Sequence, residues 1–280
     1  MSWAHRVEPG ARVRLGEIDT SVDGGMDKEQ GRARLAELQG ELADLQEELY
    51  AAGTHSLLVV LQGMDTSGKD GTIRSVLGAV DPVGCRVEAF KVPTEEELAH
   101  DFLWRVHRVT PRLGQISVFN RSHYEDVLVV RVKSLVPEAV WRPRYEQIRH
   151  FESLLAASGT IVVKLFLHIG RDEQEERLLA REENPTKAWK LSAGDWRERE
   201  LWDDYQRAYE EAIERCTAED APWYVVPADR KWFRDLAVAD VLVRTLAEHR
   251  PGWRARLERM AVAGREEVRA YREGTEGAGG

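Results

Sequence analysis

The apolar residues of this chain fall into two kinds of run. From Leu35 they recur at Leu38, Leu42, Leu45 and Leu49, a three-four spacing that lays one stripe along a helix with glutamates on its other faces. Two heptads make a short coiled coil, so the stripe reads as a face docked on a core before it reads as a self-association seam. Further on, Leu57-Leu58-Val59-Val60-Leu61 and the stretch Thr160 to Leu167 are almost continuously apolar, as in strands covered by helices on both faces.

Five strands are predicted: Ser56 to Leu61, Val87 to Val92, Gln115 to Asn120, Thr160 to Ile169 and Trp223 to Val226. The helices predicted between and after them are Lys69 to Ala79, Glu95 to Val109, Pro137 to Ala157, Arg171 to Arg181, Glu198 to Cys216 and Lys231 to Glu248. This alternation predicts an α/β fold with a parallel sheet, which places functional loops at the carboxyl ends of the strands. Residues 1–50 are expected to form an irregular arm and then the amphipathic helix, residues 51–250 the main domain, and residues 251–280 a charged, fraying tail after Arg250-Pro251-Gly252.

Composition narrows the class. A chain of 280 residues, 42% hydrophobic and 32% charged, can bury a sizeable core and lacks the pattern of disorder. A net charge of -9 argues against a general basic field for nucleic acid or an anionic membrane, so a polyanionic ligand needs a locally basic groove. Cys85 and Cys216 form no metal or disulfide pattern. The opening residues have no apolar core, and no run approaches the roughly 18 apolar residues of a membrane span. The expectation is a cytoplasmic enzyme.

The segment Gly63-Met64-Asp65-Thr66-Ser67-Gly68-Lys69-Asp70-Gly71 has the spacing G-x-x-x-x-G-K between a predicted strand and a predicted helix. In that setting, glycines let successive backbone N–H groups turn inward, the helix presents its positive end, and Lys69 reaches phosphate oxygens. Gly63, Thr66, Ser67, Gly68, Lys69, Asp70 and Gly71 are the candidate phosphate-binding residues. Asp70 stands where Ser or Thr is usual. Two carboxylates beside a phosphate repel it by about 4 kcal/mol at about 4 Å in an effective dielectric near 20, so a cation is needed between them. Mg²⁺ is the candidate, with Asp65 as its ligand and Asp70 as a possible helix cap.

A second cluster, Asn120-Arg121-Ser122-His123-Tyr124-Glu125, follows the third predicted strand. Arg121 is a candidate phosphate clamp and Asn120 a partner for metal-bound water, with Ser122, Tyr124 and Glu125 beside them. Singly, each has a bland reading as an ion pair or packing residue. A further stretch near residues 182–200 sets Lys187 and Lys190 around Trp189, the composition of a phosphate-closing lid or of a solvated helix face.

GMDTSGKDG, FNRSHYEDVLVVRV, KAWKLSAGDWRERELWDDY and APWYVVPADRKW, in this order, resemble the polyphosphate kinase 2 family from about Tyr50 to Leu246. The resemblance implies a three-layer α/β/α phosphate-loop kinase fold related to thymidylate kinase, with a five-stranded parallel sheet in the order 2-3-1-4-5 and a helical lid. It implies inorganic polyphosphate as donor, a nucleotide such as AMP, ADP, GMP or GDP as acceptor, Mg²⁺ as cofactor and a homo-oligomer. Asp65 would serve metal and catalysis, Lys69 and Arg121 the phosphates, and Lys187 and Lys190 the lid. Asn120, where many members have Asp, is similar to the subgroup that takes mono- and diphosphates. Asn184 replaces an Asp common in the family. An ATP-dependent small-molecule or nucleotide kinase and a non-catalytic polyphosphate sensor share the loop and stay open as alternatives.

Overall fold

All seven residues of Ser56–Gln62 are buried, and this strand forms the middle of the sheet. In the computed structural model, which describes residues 3–183 and 193–276, the strands are β1 (His5–Val7), β2 (Ser56–Gln62), β3 (Cys85–Ala89), β4 (Ile116–Asn120), β5 (Thr160–His168) and β6 (Trp223–Pro227). They form one sheet in the order β1-β6-β5-β2-β4-β3, with every pair parallel except β1 against β6. The sheet thus has six strands, not the five expected. The additional strand is only His5-Arg6-Val7, too short for an alternation pattern to show, and it is defined by its pairing with Trp223–Val225.

Helix α1 (Lys28–Ala52) opens with a capping box between Asp27 and Gln30 and buries Leu38, Leu42, Leu45 and Leu49. Helix α2 (Lys69–Val76) follows the glycine loop. The expected helix Glu95 to Val109 is instead two single turns, α3 (Glu95–Leu98) and α4 (Trp104–His107), and a further turn, α5 (Val129–Val132), follows the second cluster. The expected helix from Pro137 divides into α6 (Glu138–Trp141) and α7 (Arg144–Ala157) at Pro143, which has no N–H to continue the ladder. The remaining helices are α8 (Arg171–Glu182), α9 (Ala193–Glu200), α10 (Trp202–Cys216) and α11 (Lys231–Glu276).

Where residues 251–280 are expected to fray, helix α11 runs through Pro251 to Glu276, so residues 251–276 are helical. A proline inside a helix costs about 3 kcal/mol. Here tertiary contacts brace both sides of it: Arg250 and Arg254 reach Glu48 of α1 at 2.9 and 3.0 Å, and buried Trp253 donates its indole N–H to His55 at 3.1 Å. Among the described residues no helix is long and apolar enough to cross a membrane.

Adjacent parallel strands bring the two motifs together. Leu61 of β2 lies opposite Asn120 of β4, so Gly63 and Arg121 both leave the sheet at the same edge. The parallel register alone places the glycine loop beside the second cluster.

Candidate active site

Between β2 and α2 the chain turns through three positive φ angles: 153° at Gly63, 63° at Thr66 and 104° at Gly68. A side chain at Gly63 would meet Ser67 Oγ at 2.7 Å and the Leu167 carbonyl at 2.8 Å, so the first glycine is required by space as well as by φ. Every carbonyl from Gly63 to Ser67 accepts a hydrogen bond from a side chain. Lys69 Nζ donates to the Gly63 and Met64 oxygens at 2.7 and 3.3 Å. Gln174 Nε2 donates to the Asp65 oxygen at 3.2 Å, and Arg177 Nη1 to those of Thr66 and Ser67 at 3.0 and 3.3 Å. Arg234 Nη1 also donates to the Ser67 oxygen, at 3.1 Å. With these carbonyls engaged by side chains, and the Ser67 N–H donating to the Met64 carbonyl at 3.1 Å, the loop has the compact form in which the remaining N–H groups can receive an anion.

Thr66 Oγ1 and Ser67 Oγ are buried with no hydrogen-bond partner among the described residues. Buried hydroxyls are seldom left so, and a bound phosphate would satisfy them. Lys69 is half-buried, not on an exposed loop, and burial pulls its ammonium below its ordinary value against the upward pull of Asp65. Asp70 lies in the first turn of α2, not at its cap: Gly68 holds the cap position without a side-chain bond, and Asp70 Oδ1 accepts from Asn120 Nδ2 at 2.7 Å.

Arg121 has the left-handed φ of 62°, uncommon for a residue with a Cβ. Its N–H donates to the Leu61 carbonyl at 3.0 Å, and its guanidinium spans Asp65 Oδ1 at 3.0 Å and Glu125 Oε2 at 3.5 Å. Burial lowers the guanidinium pKa, but Glu125 and Asp65 outweigh it and the net direction is upward. Glu125 is itself held by Gln62 Nε2 at 3.0 Å. Backbone strain at a residue fixed by two carboxylates is typical of a functional position.

The rest of the second cluster divides. Ser122 accepts from the Tyr124 N–H at 3.1 Å and so shapes the turn. Tyr124 is buried away from the loop, donating its hydroxyl to Glu152 at 2.8 Å and accepting from Lys164 at 3.1 Å. It belongs to a buried polar cluster with His123 and Glu152, so the structure does not bring it to the glycine loop. Lys187 and Lys190 lie outside the described residues. On the flank that leads from them, α9 is tied down by Arg181 to Asp195 at 2.6 Å and by Glu198 to Lys133 and Tyr205.

Beside Gly63, Asp65 and Arg121 opens a cavity of about 260 Å³. Phe90, Val92, Val129 and Val130 give it an apolar wall, and Lys91, Arg105, Lys133 and Asp126 surround this with charge. Burial pushes the Asp126 carboxyl up to about 6 against the lowering effect of Arg144. An apolar chamber that ends at the glycine loop and Arg121 has room for a small ligand with an apolar face and an anionic end.

Among the described residues no three acidic, histidine or cysteine groups cluster to hold a metal by themselves. Asp65 nonetheless fits a divalent ion such as magnesium, which takes one or two carboxylates and completes its shell with phosphate oxygens and water.

Residues 25–252 match the polyphosphate kinase 2 (PPK2) family. The chain belongs to the polyphosphate kinase 2 family. Among relatives of this family, the AMP/ADP-polyphosphate phosphotransferase of Meiothermus ruber is 54% identical over 86% of this chain and 91% of its own length. The ADP-polyphosphate phosphotransferase of Rhodopseudomonas palustris is 47% identical over 86% and 88%. The crystal structure of polyphosphate kinase 2 from Arthrobacter aurescens superposes with a TM-score of 0.84 at 45% identity, covering 87% of each chain. In this polyphosphate kinase 2 chain, sequence reasoning overlooked Gln174, Arg177 and Arg234, which support the loop from outside. The signal available was slight: Gln174 and Arg177 share a helix face by their spacing of three, and Arg234 is one arginine among many.

Proposed function

We infer that the protein is a polyphosphate-dependent nucleotide kinase. It moves a phosphoryl group reversibly between inorganic polyphosphate and a nucleoside mono- or diphosphate, in a three-layer phosphate-loop kinase fold with Mg²⁺ as cofactor. The observation that carries the reading is the glycine loop with its carbonyls tied outward, facing Arg121 across the mouth of an apolar cavity.

Asp65 would hold the magnesium ion, which when bound offsets phosphate charge in the transfer. The loop N–H groups and Lys69 would grip the donor chain. Arg121 would leave Asp65 for the phosphate that is being transferred, while Glu125 keeps it aimed. The bond between the terminal phosphorus and its bridging oxygen breaks as an acceptor phosphate oxygen bonds to the same phosphorus. That oxygen is already anionic near neutral pH, so alignment and charge neutralisation serve in place of a strong general base. The name of the Meiothermus ruber relative and the Asn120 resemblance support AMP and ADP as acceptors.

We read residues 51–250 as the catalytic domain and residues 182–200 as its lid, and the family resemblance supports a homo-oligomer. The free thiols of Cys85 and Cys216 suit the reducing cytoplasm. The test is incubation of the purified protein with polyphosphate, magnesium and each of AMP, ADP, GMP and GDP, followed by separation of products. New di- or triphosphate from polyphosphate as sole donor is expected. Transfer from ATP alone would turn the assignment to an ATP-dependent kinase, and binding without product would turn it to a sensor.

A further inference from the structure

Arg177 lies on α8, the helix that leads toward residues 184–192, yet its guanidinium points to backbone and not into the phosphate cradle. Nη1 donates to the Thr66 and Ser67 carbonyls at 3.0 and 3.3 Å. Nη2 donates to the Ala228 and Asp229 carbonyls at 2.7 and 2.6 Å, just beyond β6. Nε donates to Glu173 at 2.6 Å, so all three nitrogens are engaged. The side chain is only 8% exposed.

We propose that Arg177 is a positioning residue of the transfer reaction, a bracket that holds the outer carbonyls of the phosphate loop to the end of β6 and thereby keeps the loop's N–H groups turned toward the donor phosphates. The proposal rests on the polyphosphate kinase reading for the identity of the donor. Four carbonyls from two chain segments converge on one planar group, and a guanidinium can serve such a set because its donors are fixed in a fork. A lysine ammonium keeps the charge but presents a single nitrogen, which cannot bridge two separated carbonyl pairs. The neighbouring Arg234 holds the Ser67 carbonyl from α11 and is fixed by Asp235 at 2.7 Å, so the bracket has a second, independently anchored arm.

The experiment compares Arg177→Lys and Arg177→Gln with the wild type. It measures the affinity of each for inorganic tripolyphosphate with magnesium and for AMP by titration calorimetry, beside the thermal midpoint. Both variants are expected to stay folded, to lose about tenfold or more in tripolyphosphate affinity, and to bind AMP within about twofold of the wild type. Wild-type tripolyphosphate affinity in Arg177→Lys would overturn the proposal by showing that charge alone suffices. An equal fall for AMP and tripolyphosphate, or unfolding of both variants, would overturn it by showing a global support. Wild-type protein that binds tripolyphosphate but transfers nothing from polyphosphate would defeat the functional reading, while the affinity comparison would still judge the bracket.

Discussion

Two glycines of the loop, Gly68 and Gly71, both neighbour the Arg234 guanidinium, and the structure separates them sharply. At Gly68 the φ is +104°, and an added Cβ would fall 1.8 Å from Arg234 Nη1 and 2.7 Å from its Cζ. That guanidinium cannot swing aside cheaply. It is 3% exposed, and it donates to Asp235 Oδ1 at 2.9 and 2.7 Å and to the Ser67 carbonyl at 3.1 Å. Asp235 in turn accepts from Thr72 at 3.0 Å, so a displacement spreads into α2. Gly68→Ala therefore carries a left-handed backbone cost of about 1–2 kcal/mol and the loss of one or more charge-assisted hydrogen bonds at about 1.5–3 kcal/mol each.

A destabilisation of about 3–5 kcal/mol follows, with most phosphate binding lost because the Ser67 carbonyl is released. Gly71→Ala meets only ordinary contact, Arg234 Nη2 at 3.4 Å, and lies inside α2, where alanine favours the helix by up to about 1 kcal/mol. Urea unfolding of both variants, with magnesium-tripolyphosphate titration, measures the contrast. Equal stability of the two, or full phosphate affinity in Gly68→Ala, would refute the claim that Arg234 occupies the space a side chain needs.

Lys69→Ala and Arg121→Ala are each expected to lower nucleotide-forming turnover on the order of a thousandfold while moving the thermal midpoint by only a few degrees, measured by product separation and by a melting scan. Glu152→Gln addresses the buried cluster. Burial pushes this carboxyl up, but Lys164 and His123 outweigh it and hold it below its ordinary value, while burial holds the His123 ring below 6.5. Both groups therefore bind protons more weakly folded than unfolded. The stability they contribute is full above pH 6.5 and is lost as pH falls through the lowered folded values. Unfolding titrations at pH 8 and pH 5 should show wild-type stability lower at pH 5, and Glu152→Gln should cost about 3–5 kcal/mol at pH 8 with a steeper fall toward pH 5, because the carboxylate that holds the His123 ring up against burial is gone.

The parts of the fold that were legible in the sequence are those where local pattern and tertiary need agree. The leucine stripe of α1 and the unbroken apolar runs of β2 and β5 each announce their burial, and the glycine spacing is meaningful because it follows one such run. Where one residue type serves a distant partner, pattern is silent. β1 exists because three residues pair with β6. Residues 251–276 stay helical because Arg250, Trp253 and Arg254 find partners on and beside α1. Tyr124 shows a related limit: proximity along the chain to Arg121 grouped it with the second cluster, but its ring turns the opposite way, to Glu152 and Lys164, in the packing role that its bland reading gave it.

The same contrast explains how the site itself is built. The groups expected to touch phosphate, Lys69 and Arg121, lie within or next to the motifs and could be read from them. The groups that give the loop its shape come from α8 and α11, more than 100 positions further along, and act on carbonyl oxygens that every residue possesses. A backbone acceptor has no sequence signature, so its donor is visible only after folding. A glycine loop whose carbonyls are held by side chains from two other elements is preorganised for the phosphates proposed to bind it, and the cost of ordering it falls on folding instead of on binding. Loosening any one of those holds should therefore appear first as weaker phosphate affinity, ahead of any change in the apolar wall where Phe90 and Val129 lie.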